Sequence, residues 1–107
     1  MNDQQAIVLA YIVCRDVEEA KAIGRHLLEE RLAACINIFP IESAYWWEGQ
    51  IVEDHEAVLI AKTVEGSFEA LKSEVLARHS YTIPCVLKLS VAAAEDRYAA
   101  WLRGEVR

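Results

Sequence analysis

The segment "AIVLAYIVCRDVEEAKAIGRHLLEE", Ala6–Glu30, decides the fold, because within it the apolar period changes from that of a strand to that of a helix. From Ala6 to Cys14 the run is continuously apolar and rich in Ile and Val, which predicts a strand apolar on both faces. Alternation puts Val8, Ala10 and Ile12 on one face and Ile7, Leu9, Tyr11 and Val13 on the other. Asp16 follows, with Glu19 at the capping-box spacing. Ala20, Ile23, Leu27 and Leu28 then recur at helical spacing, predicting a helix over residues 17–30.

Working outward, residues 33–47 read as a long strand in which Pro40, unable to donate to a ladder, implies a bulge or break. Glu48-Gly49 reads as a hairpin turn, and a returning strand over residues 51–63 ends in "AVLIAKT". Phe68, Leu71, Lys72, Val75 and Leu76 mark a second amphipathic helix over residues 65–78, with Ile83-Pro84 as its stop. Residues 85–91 form a last strand, and Tyr98, Trp101 and Leu102 lie on one stripe of a short terminal helix. The order is βαββαβ plus a C-terminal helix, an α+β, ferredoxin-like (split βαβ) sandwich occupying residues 1–107 as one domain. Right-handed crossovers place both main helices on one sheet face. The other face is apolar too, and a short terminal helix cannot cover it, so the chain is expected to assemble with copies of itself.

The net charge is −6, with no block of Lys or Arg. Nucleic-acid binding needs clustered cations and is disfavoured. No basic leader and no run long enough to span a bilayer is found, so no membrane association and a cytoplasmic location are expected. Three cysteines, none at C-x-x-C spacing, suit free or metal-facing thiols in a reducing compartment better than a disulfide framework. The P-loop, G-x-S-x-G, G-x-G-x-x-G and H-E-x-x-H signatures are all missing, so the expected role is non-enzymatic, with no organic cofactor.

Several residues admit two readings. His79 either caps the second helix, where a cation suits the dipole, or offers an imidazole ligand. Cys14 and Cys35 are either small core hydrophobes or soft ligands. Cys85 shares a strand face with Leu87, Leu89 and Val91, which suggests core. Lys62 either meets an anion or extends its head to solvent. The charged run Val52–Glu56 reads as a solvated edge that discourages unwanted strand pairing.

"ERLAACINIFP", "SAYWWEGQI", "EAVLIAKT", "HSYTIPCVLKLSV" and "YAAWL" together resemble the CutA divalent-cation tolerance family, from about Val8 to Leu102. The resemblance implies a compact homotrimer with clefts between subunits and a link to tolerance of copper and other divalent metals. It implies Cys14, Cys35 and His79 as metal ligands, copper as the possible ion, and Trp47, Lys62, His79 and Tyr81 as cleft residues. The pattern departs at Ser80, where proline is usual, at Cys85, where a carboxylate is usual, and at Ile41, where glycine is common. The alternative expectation is a ligand-sensing trimer that binds a small anionic metabolite near Lys62 and Tyr81.

Overall fold

The structure, a computed structural model, describes residues 5–107. Its elements are β1 (Ile7–Cys14), α1 (Val17–Glu29), β2 (Cys35–Trp47), β3 (Gln50–Val64), α2 (Phe68–Arg78), β4 (Val86–Ser90) and α3 (Asp96–Glu105). The strands form one antiparallel sheet in the order β2-β3-β1-β4, as the split βαβ reading requires. Asp16 caps α1 through its Oδ1, which accepts the Glu19 N–H at 2.8 Å.

The parity of β1 sorts the core. Ala10, Ile12 and Cys14 lie beneath the helices with Leu27, Leu59, Leu71 and Val75, all of them wholly buried. Ile7 faces the other way, and there, among the described residues, only α3 covers the sheet, packing Ala99 and Leu102 against Ile7 and Val64. Arg31 helps hold α3 down through a 2.6 Å ion pair with Glu105. Beyond α3 the same face is open, with Leu87 52% and Leu89 41% exposed. The face Cys85 shares with them is therefore not core.

The β2–β3 hairpin outruns the sheet. β1 pairs with β3 only from Ala57 onward, so among the described residues Gln50–Glu56 have β2 as their sole strand neighbour. The turn uses Glu48 and Gly49, both at positive φ (50° and 80°), as a tight two-residue hairpin demands. This projecting arm stretches the chain to 48 × 26 × 21 Å.

Two local expectations change. Pro40 makes no bulge: it pairs with Ala57 in an unbroken register from Cys35↔Lys62 to Trp47↔Gln50. β2 is an edge strand, where proline's missing donor is tolerated. The second helix ends at Arg78 as expected, but His79 already has an extended backbone (φ −77°, ψ 143°), so Ile83-Pro84 is not what stops it.

Leu59→Ala removes a wholly buried side chain from the middle of the sheet. It should lower unfolding free energy by about 2–5 kcal/mol in urea titrations. Asp16→Ala should lower the melting temperature at neutral pH. The Glu19 N–H holds the Asp16 carboxyl below its ordinary value of 3.8. The cap's contribution is therefore complete above that value and lost as pH falls through the lower folded one, so melting curves of the two proteins should converge in acid.

Candidate functional site

β1 ends under the helices, and its last residue, Cys14, is wholly buried. α1 starts just beyond, so the capping-box position brings the Glu19 carboxylate back over the strand end. α2 finishes against the same spot with His79. Among the described residues, Cys14, Glu19 and His79 form the one cluster whose ligand atoms all lie within 4.8 Å of one another.

Glu19 is only 8% exposed, yet both its oxygens are satisfied. Oε1 accepts the Arg15 N–H at 2.8 Å and Oε2 the Ser80 N–H at 2.9 Å. Burial pushes this carboxyl up, but the backbone donors of Arg15 and Ser80 outweigh it and hold it below its ordinary range. The imidazole is equally engaged. His79 Nε2 lies 2.7 Å from the Val13 carbonyl, and Nδ1 accepts the Tyr81 N–H at 3.1 Å. A carbonyl can only accept and an amide N–H can only donate, so the proton sits on Nε2. The Cys14 thiol is pushed up to about 12, first by burial and then by the charges of Glu19 and Asp16. It is a thiol, not a thiolate, at neutral pH. One thiol, one imidazole and one carboxylate suit a borderline or soft ion in kind, and loading them requires the thiol proton to leave.

Cys35 does not join this cluster within one chain. It pairs with Lys62, whereas Cys14 pairs with Ala57. That length of β3 is about 16 Å at a strand's rise of about 3.3 Å per residue. The two cysteines also face opposite sides of the sheet, since Ile36 and Ile38, not Cys35, pack on the helix-covered core.

The second feature is an open groove of about 1000 Å³ between the hairpin arm and the segment after His79. Trp47 and Tyr81 line it, without His79 or Lys62, together with Tyr11, Cys85, Asp54 and Glu56. Tyr81 Oη donates to Glu56 Oε2 at 2.6 Å, and its ring lies 4.9 Å from that of His79. Burial, then the Glu56 carboxylate, pushes the phenol upward. Lys62 is elsewhere: its Nζ lies 3.3 Å from Tyr98 Oη, beneath α3. No Lys, Arg or His is among the described residues that line the groove.

Comparison with known proteins agrees with this architecture. The CutA1 divalent ion tolerance protein family profile matches residues 8–105. The chain belongs to this family. It is 42% identical over 92 residues to the divalent-cation tolerance protein CutA of Archaeoglobus fulgidus, covering 86% of this chain and 90% of that one. To the protein of the same name from Thermus thermophilus it is 46% identical over 87 residues, covering 80% and 84%. The crystal structure of CutA1 from Oryza sativa superposes with a TM-score of 0.94 at 37% identity, covering 98% of this chain and 97% of that one.

Sequence reasoning missed two residues. Glu19 was assigned only to capping, and Glu56 to a solvated edge. Glu53, Asp54 and His55 are indeed exposed, but Glu56 is 8% exposed. The available signal is position: Glu56 directly precedes Ala57, where pairing with β1 begins, so it sits at the inner end of the arm and within reach of Tyr81.

Native-state thiol labelling at neutral pH checks the electrostatics. Cys14 should react last, and only as fast as the protein unfolds, because it is both buried and held protonated. Labelling of Cys14 at the rate of a free thiol would contradict this.

Proposed function

We propose that this chain forms a non-enzymatic, cytoplasmic homotrimer that serves divalent-cation tolerance by binding, with copper as its cargo at Cys14 and His79. The observation that carries the reading is the convergence of a thiol, a carboxylate and an imidazole within 4.8 Å at the end of β1. Such mixed sulfur and nitrogen donors favour copper or zinc over calcium or magnesium. The family's description, divalent ion tolerance, points the same way.

Self-association is supported by the open sheet face, where Phe39, Leu87 and Leu89 are 42%, 52% and 41% exposed. It is supported also by the hairpin arm, whose Trp46 is 72% exposed. Apolar surface of this kind is usually covered by a partner. A third donor from Cys35 requires a neighbouring subunit, because within one chain it faces the wrong way. The three free thiols favour a reducing compartment. No described helix is long and apolar enough to cross a membrane. An anionic metabolite is less well served. Asp54, Glu56 and Glu42 line the groove at Tyr81 and would repel it, and Lys62 is too distant to compensate.

Titration of the reduced protein with Cu(I) against a competing chelator tests the site. Replacing both ligands, Cys14→Ser with His79→Gln, should weaken binding by roughly tenfold or more. Unchanged affinity in that double variant overturns the assignment. Sedimentation equilibrium at micromolar concentration should return three times the chain mass of 12.1 kDa, and a stable monomer would rule out the trimer.

A further inference from the structure

His79 has no idle nitrogen. Offering Nδ1 to an ion breaks the bond from the Tyr81 N–H, and offering Nε2 removes the donor from the Val13 carbonyl. If the displaced proton moved to Nδ1, it would meet the Tyr81 N–H donor to donor. Glu19 is bound in the same way, since freeing Oε2 releases the Ser80 N–H. The bonds that must give way are therefore largely those that shape the turn from His79 to Tyr81.

That turn ends in the groove. The Tyr81 ring rests against the His79 ring at 4.9 Å, and its hydroxyl closes on Glu56 at 2.6 Å. Glu56 is nearly buried, so Tyr81 caps a carboxylate that would otherwise face the groove. Backbone and side chain of one residue thus tie the cluster under the helices to the groove on the opposite sheet face.

We propose that cation binding at Cys14 and His79 and closure of Tyr81 onto Glu56 are alternative states of one latch, so that loading the cluster releases Tyr81 and uncovers Glu56 in the groove. This rests on the binding reading above and adds its structural output. Linkage makes the coupling reciprocal: whatever loosens the closed state tightens cation binding by the same factor.

The probe is Zn²⁺, divalent and redox-silent, added to the full chain at constant pH. Amide exchange at Tyr81 should quicken when Zn²⁺ binds. Tyr81→Phe, which keeps the ring and removes the hydroxyl, should bind Zn²⁺ tighter by roughly fivefold or more, given the strength of a hydrogen bond to a charged acceptor. Glu56→Gln, which weakens the same bond from the other side, should shift affinity in the same direction. Suppose instead that Zn²⁺ binds in a Cys14- and His79-dependent way while Tyr81 exchange is unchanged and both variants bind like wild type. The latch is then refuted and the binding reading stands. Zn²⁺ affinity indifferent to Cys14→Ser and His79→Gln removes the latch, while the copper-binding reading is decided by the Cu(I) titration above.

Discussion

The buried carboxylate of Glu19 is the interaction on which this architecture turns. It sits in the first turn of α1, where the positive end of the helix dipole favours a negative charge. From there it accepts one backbone donor from the β1–α1 connection and another from the α2–β4 connection. These two crossings lie far apart in sequence and are joined by a group that cannot be left unpaired. A buried carboxylate without its donors is strongly penalised, so the two connections are held together as tightly as the charge is held. His79 then falls into a fixed place, since its ring must bridge the Val13 carbonyl and the Tyr81 N–H.

The secondary structure was legible in the sequence because it depends on local periodicity. The apolar run of β1, the Asp16 cap and the stripe of α1 each declare themselves within a dozen residues, and the sheet order follows from crossover handedness. The site was less legible, because its parts meet through tertiary contacts. Nothing local in "RHSYTIPC" says that His79 reaches back to Val13, or that Tyr81 reaches Glu56. Nor could spacing reveal that Cys35 and Cys14 lie at different heights on opposite faces, which needs the β2–β3 and β1–β3 registers together. Pro40 shows the opposite error. A local rule suggested a break, and the strand's edge position made one unnecessary.

The open sheet face is segregated by charge. At the α3 end Lys62 lies beside Tyr98, and at the arm end Glu56 and Asp54 dominate, with no cation among the described residues that line the groove. Separation of this kind is enforced by the sheet itself, since Lys62 and Glu56 occupy one strand and one face at fixed spacing. A single site built from Lys62 and Tyr81 together is incompatible with one chain's geometry.

Cys85 has a different setting from Cys14. The strand register puts Cys85 opposite Val13, on the open face, and so on the other side of the sheet from Cys14. It is not a fourth member of the Cys14, Glu19 and His79 cluster. Its thiol is pushed up first by burial and then by the nearby Glu56 carboxylate, so it stays neutral. With a thiol there, the Tyr81 hydroxyl is the one hydrogen-bond donor to Glu56 among the described side chains. In this chain, then, the closure of Glu56 rests on Tyr81 alone among the described side chains.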